Sequence, residues 1–285
     1  MTISELFMKR FSVISLLSLL FVVTGCASSA SFQIPSSEPK VEVISTFDAR
    51  SNKSRDVEVV VYEPRVSKSK RPALIFLSGC DGGHFETHQA LAREFYSQGA
   101  VIAEVKSIEA YGDQCRTSTL PGPVRAEHVF LARDLLVKRG WASPDNVALV
   151  GLSHGGWTAI SASKMDVQPY VLAKVDHKQE FAAAVALYPW CDLWGPRVRV
   201  KNPMLVLAGS ADTWTPAVHC SQTMQDDPNI VLHIYDGPTH AWDAPRPPRT
   251  VPTMHGTAFL TYDRNATVDG IARAIAFLRQ YLVLE

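Results

Sequence analysis

The chain has 285 residues, 46% of them hydrophobic and 20% charged, which is the make-up of one sizeable folded domain rather than of a disordered or fibrous chain. Lys plus Arg equals Asp plus Glu at 28 each, so no overall field draws nucleic acid or an anionic surface to the protein.

The first elements lie outside that domain. Lys9 and Arg10 precede an apolar run over residues 11–23, interrupted only by Ser12, Ser15 and Ser18. This is the charged start and short apolar centre of a secretory signal. As a helix the run reaches roughly 20 Å, short of the ~30 Å hydrocarbon core, which disfavours a permanent membrane span. It ends in Val23-Thr24-Gly25-Cys26, which resembles a bacterial lipobox; the resemblance implies removal of residues 1–25 and acylation of Cys26. Ala27-Ser28 lacks the aspartate that retains such proteins in the inner membrane, so the expected destination is the outer membrane, facing the periplasm. The processed chain keeps 26 basic and 27 acidic residues, still near neutral. Residues 26–40 read as a flexible tether without a packing signal, leaving 41–285 as the folded domain.

Strands are expected at 41–47 and 57–62, joined by a polar turn at Ser51-Asn52, and then at 73–77. A helix follows over 87–98, a strand over 101–105 and a helix over 124–139, with Val124, His128, Leu131, Leu135 and Leu136 near one face. Further strands fall at 147–150, 182–187, 204–208 and 230–235, with helices at 155–164 and 266–282. A hairpin followed by repeated strand–helix units predicts an α/β fold with a mostly parallel sheet covered by helices on both faces. Residues 165–180 and 243–264 read as loop-like insertions, the second proline-bearing and expected to rim the functional site.

The strand at 147–150 runs directly into Gly151-Leu152-Ser153-His154-Gly155-Gly156. This is the sequence form of a nucleophile elbow, a strained strand-to-helix turn that projects the serine hydroxyl, with Gly151 and Gly155 where a Cβ would strike backbone. A serine hydroxyl is a poor nucleophile near neutral pH, so it needs a histidine to take its proton and a carboxylate to orient the histidine. Asp212 follows the strand ending at 208, and His240 follows the strand ending at 235. The order Ser153, Asp212, His240, each at a strand exit, resembles the α/β-hydrolase arrangement. An oxyanion hole requires two backbone N–H donors. His154 supplies one, and the loop Ser78-Gly79-Cys80-Asp81-Gly82-Gly83 the other, from Cys80 in preference to Asp81. Apart from Cys26, four cysteines remain: Cys80, Cys115, Cys191 and Cys220. In an oxidising compartment they form two disulfides, with three connectivities open. His84 and His88 are spaced as metal ligands on a helix, but no third ligand accompanies them; they read as a solvated pair at a helix start, and no metal or organic cofactor is expected.

Ser78–Gly83, Gly151–Gly156, Tyr188-Pro189-Trp190-Cys191, Asp212–Pro216 with Cys220, and Gly237-Pro238-Thr239-His240-Ala241-Trp242 together resemble the dienelactone hydrolase family over residues 72–282; Tyr262-Asp263, Asp269 and Arg273 fit the same pattern. The founding members carry cysteine at the elbow, whereas this chain has Ser153, which moves the implied substrate from dienelactone to ordinary carboxylic esters. The family fold places the third strand beside the fourth and the sixth beside the seventh, which implies Cys80–Cys115 and Cys191–Cys220. The resemblance thus implies an envelope-anchored serine esterase acting on a small-molecule ester, with Trp190, Trp194, Trp214 and Trp242 hinting at an apolar acyl site. Two rivals are a peptidase or amidase on the same triad, and a non-catalytic lipoprotein on a hydrolase fold.

Overall fold

The computed structural model describes residues 32–34, 38–48, 52–65, 71–112, 114–117, 119–165, 180–191, 197–224, 226–254 and 256–284. The signal segment 1–25, Cys26, Trp194 and residues 166–179 of the first insertion lie outside them.

An eight-stranded sheet organises the domain. Its strands are β1 (Lys40–Asp48), β2 (Lys53–Tyr62), β3 (Ala73–Leu77), β4 (Val101–Val105), β5 (Val147–Leu152), β6 (Ala183–Leu187), β7 (Met204–Gly209) and β8 (Ile230–Tyr235), in the spatial order β1-β2-β4-β3-β5-β6-β7-β8. β1 and β2 form the expected antiparallel hairpin, turned at Asn52 with φ 52°, a left-handed conformation that asparagine tolerates better than most residues. β2 also runs antiparallel to β4, and β3 through β8 pair in parallel. The fold is the α/β-hydrolase type.

Both faces are covered, and the two-residue period of β3 shows how. Leu74 and Phe76 join a core with Leu91 and Phe95 of α1 (Glu86–Ser97) and Ala274 and Leu278 of α7 (Arg264–Tyr281). Ile75 and Leu77 point the other way, to Val129 and Phe130 of α4 (Gly122–Lys138) and Ala159 and Ile160 of α5 (His154–Ser163). Every residue of β3, β4, β5, β6 and β7 is buried, as expected of parallel strands covered on both sides. Short helices α2 (Ser107–Tyr111) and α3 (Gln114–Thr117) follow β4, and α6 (Ala217–Met224) follows β7.

The structure corrects the sequence reading of the fold in three places. Phe32 and Ile34, assigned to the tether, are 6% and 8% exposed and belong to the core of the α1 face. Phe32 meets Phe76 and His84 with ring centroids at 4.7 and 4.6 Å, and its N–H donates to Glu104 Oε1 at 2.7 Å. Two apolar residues in a Ser- and Pro-rich segment carry no periodicity, so only the tertiary contact reveals them. α4 buries His128 and Leu136 of the predicted face but also encloses Arg125, Val129 and Ala132, whereas Leu131 and Leu135 are only partly buried. Finally, the second insertion contains a two-stranded antiparallel hairpin, β9 (Arg249–Thr253) and β10 (Gly256–Leu260). Thr250, Val251, Thr253 and Phe259 favour extended backbone, and Pro252 is tolerated because each strand of an isolated pair is an edge.

Two disulfides fasten the strand exits, Cys80–Cys115 and Cys191–Cys220, with Cα atoms 4.9 and 5.0 Å apart. This is the pairing the family resemblance implies. Each closes about 30 residues, which the loop-entropy model values at roughly 3–4 kcal/mol.

Candidate active site

The elbow forms because two glycines let β5 and α5 approach each other and the neighbouring strand. A Cβ on Gly151 would overlap the Gly155 carbonyl, and one on Gly155 would overlap the Leu77 carbonyl of β3. Ser153 between them takes φ 51° and ψ −113°, a strained conformation for a residue with a side chain. Its N–H donates to Leu187 O at 2.9 Å, so β6 also holds the turn.

Asp212 and His240, 59 and 87 residues further along the chain, meet this serine. His240 Nε2 lies 2.9 Å from Ser153 Oγ, and His240 Nδ1 lies 2.7 Å from Asp212 Oδ2. Asp212 and His240 are both buried, at 4% and 2% exposure. This contact pattern assigns the tautomer: Nδ1–H donates to the carboxylate, and Nε2 is left to accept the serine proton.

Sequence reasoning missed the groups that hold these residues. Asp212 Oδ1 accepts the backbone N–H groups of Trp214 and Thr215, both at 2.8 Å. Thr215 Oγ1 lies 2.8 Å from Asp212 Oδ2 and 3.0 Å from His240 Nδ1, bridging acid and base. The Asp-x-x-Thr spacing of an Asx turn is the signal that points to Thr215. Tyr188, at φ 37°, packs its ring 4.9 Å from that of His240 and donates its hydroxyl to Asp243 Oδ1 at 2.6 Å. Asp243 Oδ2 in turn accepts from Thr87 N at 3.3 Å, which ties the histidine loop to the start of α1. Burial pushes the Asp243 carboxyl above, and the Tyr188 phenol well above, their usual ranges.

The loop after β3 lies against the nucleophile, since a Cβ on Gly79 would sit 4.0 Å from Ser153 Cβ. Among the described residues, the N–H groups of Cys80 and His154 have no hydrogen-bond partner, and both residues line the same cleft as Ser153. That cleft is walled by the Cys80–Cys115 disulfide, Trp190, Trp214 and Met254 at the end of β9. A second cleft meets it at Ser153, Cys80 and Trp214 and extends past Phe85 to Arg249 and Leu260 of the hairpin. The second insertion does rim the site. Trp242 does not: it is fully buried against Tyr188 and Tyr235.

His84 and His88 are not solvated. They are 4% and 0% exposed, with their Nδ1 atoms 2.7 Å apart beneath Phe32, so one ring donates to the other. Among the described residues no group of three His, Cys, Asp or Glu is placed to hold a metal ion.

Residues 57–282 match the dienelactone hydrolase family. Among solved structures, the chain is similar to a puromycin hydrolase, with TM-score 0.59 and 18% identity over 86% of this chain. It spans only 39% of that enzyme's length. It is also similar to esterase 2 of the planctomycete Thermogutta terrifontis with propionate bound, at TM-score 0.60 and 17% identity over 89% of this chain and 98% of the esterase. The same esterase phosphorylated by paraoxon aligns at TM-score 0.59 and 18% identity, over 89% and 98% of the two chains. A search of curated proteins finds no match. At these identities the structural likeness establishes the shared fold.

Burial, reinforced by the Arg125 charge, pushes His88 down to about 3 from an ordinary value near 6.5. Between those values the unfolded chain binds the extra proton, so the stability contributed by keeping His88 neutral is complete above about pH 6.5 and is lost on acidification. His88→Gln is expected to remove one proton from the pH dependence of unfolding, about 1.4 kcal/mol per pH unit between pH 6 and 4. Urea unfolding across that range measures it, and identical slopes for the two proteins would contradict the burial of a neutral imidazole.

Proposed function

The chain belongs to the dienelactone hydrolase family and is a hydrolase, and from that premise we propose that it is a serine esterase that cleaves carboxylic esters through an acyl-enzyme on Ser153. The observation that carries this reading is the unbroken chain of contacts Ser153 Oγ–His240 Nε2 and His240 Nδ1–Asp212 Oδ2 at 2.9 and 2.7 Å. His240 takes the hydroxyl proton as Oγ attacks the ester carbonyl, and Asp212 steadies the imidazolium that forms. The N–H groups of Cys80 and His154 receive the developing oxyanion. Collapse of the intermediate breaks the bond to the alcohol, which leaves with the proton from His240. Water then gives a proton to His240 and attacks the acyl carbon, and the acid departs as Ser153 regains its hydrogen.

The substrate class follows from the walls of the cleft. Trp190, Trp214 and Met254 favour an apolar acyl group, and the Cys80–Cys115 disulfide walls the same cleft. Replacing the founding family members' cysteine with Ser153 favours ordinary carboxylic esters over dienelactone. We place the enzyme on the envelope, anchored through Cys26. The Val23–Cys26 motif supports this, as do two disulfides, which persist in oxidising compartments. Phe32 packs only six residues after Cys26, so an anchored chain holds its domain within about 20 Å of the membrane surface.

Wild-type protein is expected to hydrolyse short p-nitrophenyl esters and to be labelled by a fluorophosphonate, and Ser153→Ala is expected to abolish labelling and lower kcat by about 10⁴-fold or more. Labelling that survives Ser153→Ala would refute the nucleophile. Metabolic labelling with palmitate should be lost in Cys26→Ala; retained label in that variant would refute the anchor.

A further inference from the structure

The buried charge that this chemistry leaves unused is Arg125, in the first turns of α4. Its side chain is fully enclosed, and among the described residues no carboxylate forms an ion pair with it. The carboxylate whose charge it senses, Glu109, is 43% exposed and paired with Lys106 at 3.4 Å. A buried cation without a counter-ion is costly, and an apolar side chain of similar volume fills such a space at lower cost. Packing alone does not account for a guanidinium here.

Its hydrogen bonds point to a use. Arg125 Nη1 donates to Ser78 O at 3.0 Å and meets His154 Nδ1 at 3.1 Å, while Nη2 donates to Ser78 Oγ at 3.2 Å. His154 Nε2–H donates to Leu120 O at 2.8 Å, which leaves Nδ1 as the acceptor from Arg125. Burial and the Arg125 charge push the His154 ring down to about 3, so this polarity persists throughout the neutral range. Ser78 opens the loop that carries Cys80, and His154 opens α5 behind the nucleophile. One rigid fork therefore joins the two segments that bring Cys80 and His154 to the wall of the cleft beside Ser153.

We propose that Arg125 is a positioning residue for the oxyanion hole: it holds Ser78–Cys80 and His154 in mutual register, and its uncompensated charge favours the anionic intermediate over the neutral ester. The proposal rests on the esterase reading of Ser153. A preorganised donor pair acts on the charged intermediate and hardly at all on the bound ester, so its loss is expected in kcat rather than KM.

The test compares wild type, Arg125→Lys and Arg125→Met on p-nitrophenyl butyrate, with active sites counted by paraoxon titration and folding followed by thermal melts. Arg125→Met is expected to lose about 100-fold in kcat per titrated site with KM within about threefold. Inhibition by a trifluoromethyl ketone, which forms a tetrahedral oxyanion on serine, should weaken by the same factor as kcat/KM. Arg125→Lys keeps the charge but not the fork, and should recover about tenfold of the loss. Should Arg125→Met not fold, Arg125→Lys carries the test with an expected loss of about tenfold in kcat at unchanged KM. A folded variant of either kind that keeps kcat and ketone affinity within threefold of wild type would overturn the proposal. Failure of the esterase reading is visible separately, as wild-type protein inert to both ester and paraoxon, and that result overturns the proposal with it.

Discussion

The functional geometry depends on one close approach: the backbone of Gly155 against the carbonyl of Leu77. No Cβ fits there, nor at Gly151 against Gly155. Only with both side chains absent can α5 start directly above the ends of β3 and β5, and only then is Ser153 forced to φ 51°. Strain of this kind persists when the surroundings over-determine it. Here they do, because β5 is paired on both sides, by β3 and β6, and each of its residues is buried.

Around that fixed serine, the other groups arrive on loops that are each tied down more than once. The carboxylate of Asp212 accepts two backbone N–H groups and the Thr215 hydroxyl before it meets His240, which leaves it little freedom to turn away. The histidine loop is held by Tyr188 and by Asp243, whose carboxylate bonds Tyr188 and the start of α1. The loop after β3 is fastened through Cys80–Cys115 and through the Arg125 fork. Such over-determination suits the proposed task of presenting dipoles in advance to a charge that exists only briefly. The sheet supplies rigid strand ends, and the cross-ties convert loops into extensions of it.

Much of this was legible in the chain because it rests on local signals. Buried parallel strands read as apolar runs, the elbow reads as Gly-x-Ser-x-Gly after such a run, and Asp212 and His240 fall directly behind two others. What was not legible depends on contacts distant in sequence. Phe32 gains its meaning only from Phe76 and His84, and Arg125 only from Ser78 and His154. The expected inner face of α4 carries His128, Leu131 and Leu135; His128 is buried there, but the two leucines are only partly so, and Arg125, outside that set, is fully enclosed. His84 and His88 read as solvated for the same reason: helix spacing cannot reveal the aromatic segment that covers them. Thr215 lies between these cases, since an Asx turn is local but its bridge to His240 is not.

Ester hydrolysis through this site requires Ser153 to carry the acyl group between two half-reactions. Rapid acid quench during turnover of p-nitrophenyl butyrate, followed by peptide mass mapping, tests this directly. The expected result is one butyryl group on the peptide containing Ser153, absent from His240→Ala quenched at the same time and lost from the wild-type peptide when substrate is exhausted. Turnover with no acylated peptide, or with the acyl group on another residue, would contradict it.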